Sequence, residues 1–257
     1  MGLDLNHGSG CVYGAAAEAP PPLGARINSL LDTALVAERA RQTPRAYLGA
    51  SRIGEPCARR LVYEVTQTPP DPGRDFDGRT LRIFAAGHVF EDLAIAWLRA
   101  AGFDLRTQQR GGGQFGFTAA GGRFRGHVDG VIVDGPDVGL TWPVLWEHKA
   151  LKAAHWRETA KKGVQDAKPA YYGQMQIYMA YLGLEAGLFT ALNKDTCELY
   201  HEAVAYDPAA AQTLSDTAVT VLRAAEAGTL LPRIAQSPDF HLCRFCPFAA
   251  RCWAAEA

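Results

Sequence analysis

The chain has 257 residues, of which 48% are hydrophobic and 21% charged, and its formal net charge is -1. This length suits one large domain with a small appended module and can bury a sizeable core. The near-zero charge excludes recognition of nucleic acid by bulk charge, so such recognition would need a local concentration of Lys and Arg. No apolar run approaches the roughly 20 residues of a membrane span. We therefore expect a cytoplasmic protein without membrane contact.

The first segment, about residues 1–24, is rich in Gly, Ala and Pro. It lacks the basic start and apolar centre of a secretory signal, so we predict a flexible tail on a protein that is not exported. The sequence has six cysteines. Without export, these cysteines indicate metal ligands or free thiols rather than a disulfide framework.

Helical and extended patterns follow one another along the rest of the chain. Apolar residues at helical spacing predict helices at 26–42, after Pro56, and at 79–101, 153–162, 170–182 and about 208–227. Alternating patterns between Gly-rich turns predict strands at 103–106, 124–133, 144–149, 187–193 and 198–206. Residues 68–78 have the Pro, Gly and Asp content of a loop. The pattern predicts an α/β chain whose first strands form a mostly antiparallel sheet.

Two of the predicted strands carry residues suited to phosphodiester chemistry: one contains Asp129, and the next contains Glu147, His148 and Lys149. Side chains alternate along a strand, so Glu147 and Lys149 share one face, while His148 points away and still offers its main-chain carbonyl. If the strands pair, these oxygens converge beside an ammonium group. Oxygen ligands of this kind suit Mg²⁺ or Mn²⁺, and Lys149 can orient an attacking water. The alternative is that Asp129 belongs to a turn and the others to a surface edge strand.

Two residue pairs on predicted helices add to this pattern. His88 and Glu91 are three residues apart, and Gln174 and Tyr178 are four apart, so each pair lies on one helical face. A histidine such as His88, taken in isolation, more often binds no metal and is simply a buried or surface residue. Gln174 and Tyr178 fit equally a mixed helix face packed on a sheet.

Four cysteines have a spacing typical of a metal site: Cys57, then Cys243, Cys246 and Cys252. Zinc sites more often use two local Cys-x2-Cys pairs, whereas here one remote cysteine precedes a compact triplet. The spacing alone leaves an iron-sulfur cluster, zinc and free thiols open. Cys11 and Cys197 fall outside the pattern, and we expect them to be free thiols.

Taken in order, these motifs resemble the RecB-like nucleases of the PD-(D/E)XK superfamily, in particular the CRISPR-associated iron-sulfur exonucleases and the AddB-type recombination nucleases. The resemblance spans about residues 51–253. It implies a restriction-endonuclease-like α/β core, with a central mixed sheet flanked by helices, and an iron-sulfur module joining the two ends of the chain. The expected parts are a tail (1–24), a helical segment with the first cluster cysteine (25–78), a nuclease core (79–230) and a cysteine-rich segment (231–257).

The resemblance also implies an activity. It indicates a divalent-metal-dependent deoxyribonuclease, typically an exonuclease on single-stranded DNA or DNA ends, acting in recombination, repair or CRISPR spacer processing. The implied ligands of Mg²⁺ or Mn²⁺ are His88, Asp129, Glu147 and the His148 carbonyl, with Lys149, Gln174 and Tyr178 supporting catalysis. The implied ligands of a 4Fe-4S cluster are Cys57, Cys243, Cys246 and Cys252.

The expected partners are DNA, a CRISPR integrase or recombination protein, and further copies of the chain. Candidate contacts to the DNA backbone are the basic residues near these motifs: Arg59, Arg60, Lys152, Lys161 and Lys162. Each of them fits a solvated helix face equally well. An alternative function is that of a DNA-binding adaptor that recruits partners and has little or no nuclease activity.

Overall fold

The computed structural model describes residues 21–254. Most of the predicted tail and Cys11 lie outside the described residues. The first helix begins at Leu23, three residues earlier than its apolar pattern predicts.

The described residues form eight helices and eight strands. The helices are α1 (Leu23–Ala40), α2 (Ala58–Val65), α3 (Gly78–Ala100), α4 (Ala153–Ala167), α5 (Pro169–Leu182), α6 (Pro208–Glu226), α7 (His241–Arg244) and α8 (Ala249–Trp253). The strands are β1 (Leu48–Gly49), β2 (Leu105–Arg106), β3 (Gly116–Ala119), β4 (Phe124–His127), β5 (Gly130–Ile132), β6 (Val144–Leu151), β7 (Ala186–Asn193) and β8 (Leu199–Ala205). Every helix predicted within residues 21–254 is present.

The strands form a five-stranded sheet in the order β2-β5-β6-β7-β8 and a three-stranded sheet in the order β1-β4-β3. In the larger sheet β6 and β7 are parallel, and all other neighbours are antiparallel. The parallel pair is possible because α4 and α5 carry the chain back to the start of the sheet between β6 and β7. The central sheet is therefore mixed, as expected.

The predicted strand 124–133 is in fact two strands in two different sheets. β4 pairs with β3, whereas β5 pairs with β2 and β6, so the chain passes between sheets at Val128 and Asp129. Alternation continues through this junction in the sequence, which is why one strand was predicted. The junction leaves Asp129 directly before β5, outside the paired residues of the sheet.

The main core lies between the larger sheet and the helices α2, α5 and α6. Residues 173–179 of α5 are all buried, because this helix packs on strands on one side and on α4 and α6 on others. A smaller cluster around Trp146, Ile132 and Ala94 covers the other face of the sheet beneath α3. The sheet is thus enclosed by helices at its centre, where β6 lies.

Several short elements were not predicted: β1, β3, α7 and α8. They have two to five residues, too few to show a period of their own. Among the helices within residues 21–254, none is both long and apolar enough to cross a membrane.

Candidate functional site

Asp129 and Glu147 come together through the pairing of β5 with β6. Gly130 pairs with Trp146 in antiparallel register, so the next step of the register places Asp129 across from Glu147. The Asp129 carboxylate also accepts a hydrogen bond from the His148 backbone N–H, at 2.8 Å. This contact fixes the junction between the two sheets against the strand that carries Glu147.

The Lys149 ammonium lies at the point where three predicted metal ligands meet. It donates to Glu147 Oε1 and, at 3.0 Å, to the His148 carbonyl, and it is 3.9 Å from Asp129 Oδ2. Glu147 and Lys149 share one face of β6, as strand alternation predicts. The two carboxylates and the carbonyl therefore already converge on a positive charge.

Gln174 and Tyr178 close the site from α5. Gln174 donates to Glu147 Oε1 at 2.7 Å and lies 3.4 Å from the Tyr178 hydroxyl. The other carboxylate oxygen of Glu147, Oε2, is buried and has no hydrogen-bond partner among the described residues. A buried carboxylate oxygen without a partner is costly, and binding of a cation would satisfy it.

The environment changes the ionisation of these groups. Burial, and then the charge of Asp129, raise the pKa of Glu147 to about 8. Burial acts against the charge of Lys149, but Glu147 and Asp129 outweigh it, so the pKa of Lys149 is raised and its ammonium persists. Burial and the neighbouring Lys149 lower the pKa of His148 to about 4, which leaves its ring neutral. The site therefore holds more negative charge than its burial favours, and a divalent cation would relieve this.

Helix α3 brings a third carboxylate to the site, which sequence reasoning did not assign. Glu91 lines the same cleft, and burial, followed by the charge of Asp129, raises the pKa of its carboxyl. His88, predicted as a ligand, also lines the cleft, but its side chain is 82% exposed and its Nδ1 is 3.8 Å from Glu91 Oε2. Their three-residue spacing on one helical face was the available signal for Glu91.

The cleft has about 970 Å³ of empty volume and opens to solvent. Part of its lining, the basic wall, is formed by Arg45, Arg125 and Tyr47, with the two guanidinium groups 5.1 and 5.0 Å from the Tyr47 ring. Ser51 also lines the cleft. None of these residues was predicted, because β1 and β4 meet only in the folded chain. This wall is a local positive patch in a nearly neutral protein.

The predicted DNA contacts lie elsewhere. Lys152, Lys161 and Lys162 are exposed on or beside α4, outside the cleft. Arg60 pairs with Glu55 and Glu64 and lines a second cavity instead. Arg59 is only 8% exposed and lines that second cavity too, so the structure does not present it to the cleft.

This second cavity contains all four patterned cysteines. Cys57, Cys243, Cys246 and Cys252 line one small cavity, although they lie in distant parts of the sequence. Cys243 is buried and the other three are half-buried. Burial is the main cause that raises the pKa of Cys57 and of Cys246. Cys197 is exposed and lies apart from this group.

The cysteine-bearing C-terminal segment is tied to the N-terminal half by polar contacts. Asp71 is buried; its N–H donates to the Pro247 carbonyl at 2.8 Å, and its carboxylate accepts from the Ala250 N–H at 2.6 Å. Arg59 donates to the Leu231 carbonyl and points toward Cys252 Sγ at 3.7 Å. These contacts hold α2 and α8 around the cavity.

Within residues 21–254, no three His, Cys, Asp or Glu side chains form a finished site for a single metal ion. In the cleft, the Lys149 ammonium occupies the point where the oxygens converge. At the other site the four thiols surround a cavity. The donor sets still fit the expected groups, since hard oxygens suit Mg²⁺ or Mn²⁺ and thiolates suit iron-sulfur clusters or zinc.

Comparison with solved structures identifies a shared fold. An alkaline exonuclease (LHK-Exo) from Laribacter hongkongensis matches with a TM-score of 0.51 and 19% identity, over 72% of this chain and 90% of that one. The same enzyme in complex with dAMP matches with a TM-score of 0.52 and 18% identity, over 78% and 93%. The chain shares the fold of this exonuclease.

Other comparisons add little. The structure of SSO0001 matches with a TM-score of 0.48 and 16% identity, over 89% of this chain and 96% of that one, which is too low to support an inference. No family model matches the sequence, and no curated protein has a significant match to it. The shared fold places β6 of this chain in a mixed α/β architecture also used by an exonuclease.

Proposed function

We propose that this protein is a divalent-metal-dependent deoxyribonuclease that acts on single-stranded DNA or on DNA ends. The observation that carries the proposal is the convergence of Asp129, Glu147 and the His148 carbonyl on one point, with Glu147 Oε2 buried and unpartnered. A buried cluster of oxygens with excess negative charge is the environment in which Mg²⁺ or Mn²⁺ binds.

The side chains of the site have separate tasks in this proposal. Asp129, Glu147 and the His148 carbonyl hold the ion, and Glu91 or His88 on α3 completes its shell. The bound ion supplies charge stabilisation at the scissile phosphate and makes a coordinated water more acidic. Lys149 orients that water and offsets negative charge on the phosphate as the bond breaks. Gln174 holds the Glu147 carboxylate in position, at 2.7 Å.

The basic wall of the cleft supports DNA as the substrate. Arg45 and Arg125 line the same cleft as the carboxylates, where they can contact phosphates of the bound strand. Tyr47, whose ring lies about 5 Å from both guanidinium groups, adds an aromatic side chain to this part of the cleft. Processing of DNA ends in recombination, repair or CRISPR spacer acquisition fits such an activity.

We further propose that the four cysteines bind a 4Fe-4S cluster with a structural role. The support is that all four cysteines line one cavity, although they lie in distant parts of the sequence. The four ligand positions of the cluster would be filled by protein, which leaves no open position for substrate.

A cleavage assay tests the nuclease proposal. Purified protein is incubated with single-stranded DNA labelled at the 5′ or the 3′ end, with Mg²⁺, with Mn²⁺ or with EDTA. We expect shortening of the DNA with either ion and none with EDTA, and the two labels distinguish the polarity. A protein that binds DNA but leaves it intact under all conditions would support the adaptor function instead.

Two variants make the assay specific to the site. Lys149→Ala removes the group that orients the water and should abolish cleavage. Lys194→Ala changes a lysine at the end of β7, outside the cleft, and should leave cleavage unchanged. Equal activity in the two variants would contradict the assignment. Iron, sulfide and zinc analysis of the same preparations distinguishes a 4Fe-4S cluster from zinc.

A further inference from the structure

Helix α1 has an unusual position on the protein. None of its 18 residues is buried, and its main contact is with α3. Asp32 pairs with Arg82 of α3, and the Arg39 guanidinium lies 4.7 Å over the ring of Phe76. A helix of this length is marginal in water without packing of its apolar face. The face of α1 that meets the protein carries Asp32 and Arg39, with the half-buried Leu35 beside them.

The apolar face of α1 has the spacing of a coiled-coil seam. Leu23, Ile27, Leu30, Ala34 and Ala37 follow one another at intervals of four, three, four and three residues. The three large residues are 65%, 47% and 72% exposed. Asp32 and Arg39 are seven residues apart and occupy, in successive heptads, the position opposite the seam. Because these two residues face the rest of the protein, the seam points outward.

The order of large and small residues along the seam specifies its partner. The large side chains lie in the N-terminal half and the two alanines in the C-terminal half. In an antiparallel pair of identical helices, the two alternating positions of the seam pack beside each other, so Leu23 meets Ala34 of the second copy and Ile27 meets Leu30. Large Leu23 then lies beside a small alanine at each end of the interface, and large side chains fill its centre. A parallel pair would set alanine against alanine at one end and leave a gap.

We propose that α1 is a self-association helix, which pairs antiparallel with α1 of a second copy about a two-fold axis between Asn28 and Ser29. A two-fold arrangement is the commonest in protein oligomers, because one patch serves both subunits. Leu31, which is 49% exposed and flanks the seam, adds apolar surface near the axis. This inference does not rest on the proposed nuclease activity.

The size of the seam sets the expected strength. At roughly 60–120 Å² for each large side chain, the four leucine and isoleucine residues would bury on the order of 300–400 Å² per chain. A standard stable interface buries about 800 Å² per partner. We therefore expect a dimer that dissociates in the micromolar range rather than a permanent one.

Sedimentation velocity of the full-length protein, at about 1 to 100 μM, tests the pairing across the range of a micromolar dissociation constant. The wild-type protein should pass from monomer to dimer, and Leu30→Glu should raise the dissociation constant at least tenfold. Val36→Glu is the matched control, since Val36 is exposed on the same helix but off the seam. A wild-type monomer at the highest concentration, or equal effects of the two variants, would overturn the proposal.

A charge pair tests the antiparallel register. Leu23→Glu alone should weaken the dimer, and the double variant Leu23→Glu, Ala34→Lys should restore it, because these positions meet only in the antiparallel arrangement. Absence of rescue would reject that arrangement. Circular dichroism and thermal unfolding accompany each variant. If Leu30→Glu instead lowers the melting temperature of a monomer, the seam is covered within one chain and the proposal fails.

Discussion

The cleft and the cysteine cavity differ in how the chain builds them. Asp129 directly precedes β5 and Glu147 lies on the neighbouring strand β6, and a loop of residues 133–143 connects those strands. Cys57 and Cys243 come from opposite ends of the chain and meet only when α2 packs beside α7 and α8. The cleft is open and strongly charged, whereas the cysteines are buried or half-buried.

Because of this difference, we expect the cleft to determine catalytic activity and the cysteine cavity to contribute mainly to the stability of the fold. The cleft lies on a sheet that the main core already supports, so a change of charge there leaves the packing intact. The cysteines lie where two distant segments meet through polar contacts, among them those of Asp71 with Pro247 and Ala250 and that of Arg59 with Leu231. A group bound by the four cysteines would close a very long loop and restrict the unfolded chain. We therefore expect variants of the two sites to have opposite effects on activity and stability.

The largest effect is expected on activity from the cleft. Glu147→Gln keeps the shape of a buried side chain but removes a charge, and we expect DNA cleavage to fall at least about 10²–10³-fold. The melting temperature should change little, because burial already disfavours the charged form of Glu147 and raises its pKa to about 8. Cleavage rate and thermal unfolding, measured on one preparation, check both parts.

Glu226→Gln is a matched control for this substitution, since Glu226 is a surface residue at the end of α6. It should change neither quantity. If the Glu147→Gln protein cleaves DNA at the wild-type rate, the oxygens of Asp129, Glu147 and the His148 carbonyl are not the catalytic site. The proposed division between an active cleft and a stabilising cavity would then be wrong.

The second effect is on stability and comes from the cavity. Cys243→Ser removes a ligand between segments roughly 190 residues apart, and in the chain-entropy model closing a loop of that length is worth about 5 kcal/mol. For a domain of this size, that corresponds to a melting temperature about 10–20 °C lower. Bound iron should fall in parallel.

Cys197→Ser is the control, because Cys197 is exposed and stands apart from the cavity. It should retain both iron and melting temperature. A Cys243→Ser protein that loses iron but melts at the wild-type temperature would show that the bound group does not fasten the two ends together.

The sequence was informative where periodicity and geometry are local. Glu147 and Lys149 share a face because strands alternate, and Gln174 and Tyr178 share one because helices repeat, so their meeting could be predicted. The junction at Asp129 could not be predicted, since alternation continues through it while the pairing partner changes.

Residues that meet only through the tertiary structure were missed or misplaced. Arg45 and Arg125 become neighbours through the two-residue pairing of β1 with β4, which is too short to leave a pattern. Arg59 looks like an exposed helical residue, but α2 turns it toward Leu231 and Cys252. Its burial depends on a C-terminal segment that a local pattern cannot reveal.

The third prediction concerns the basic wall. The double variant Arg45→Ala, Arg125→Ala should weaken binding of single-stranded DNA and reduce the slope of log affinity against log salt concentration by about 1.4, since each lost phosphate contact contributes about 0.7. Fluorescence anisotropy at several salt concentrations, with Ca²⁺ in place of Mg²⁺ to prevent cleavage, measures this slope.

Lys161→Ala, Lys162→Ala is the comparison for this pair, because both lysines are exposed on α4 away from the cleft. It should leave the slope nearly unchanged. A larger change in this slope from the lysine pair than from the arginine pair would indicate that DNA crosses α4, as the sequence pattern predicted, and not the basic wall of the cleft.

The smallest effect is expected from Arg59, a single charged residue of the cysteine cavity, and it concerns the reduction potential of the bound cluster rather than DNA cleavage. Its guanidinium is buried in the cysteine cavity and points toward Cys252 Sγ at 3.7 Å. Donors to cysteine sulfur raise the reduction potential of an iron-sulfur cluster. Arg59→Gln should therefore lower the potential of the bound cluster while iron content and DNA cleavage remain close to wild type.

Arg60→Gln distinguishes a specific contact from a general effect of charge. Arg60 lines the same cavity, but its guanidinium is neutralised by Glu55 and Glu64 at 3.1 Å each. Spectroelectrochemical titration should give a smaller shift for Arg60→Gln than for Arg59→Gln. Equal shifts would mean that net charge near the cavity sets the potential. No shift in either variant would mean that Arg59 acts through its bond to the Leu231 carbonyl, as a structural tie between α2 and the C-terminal segment.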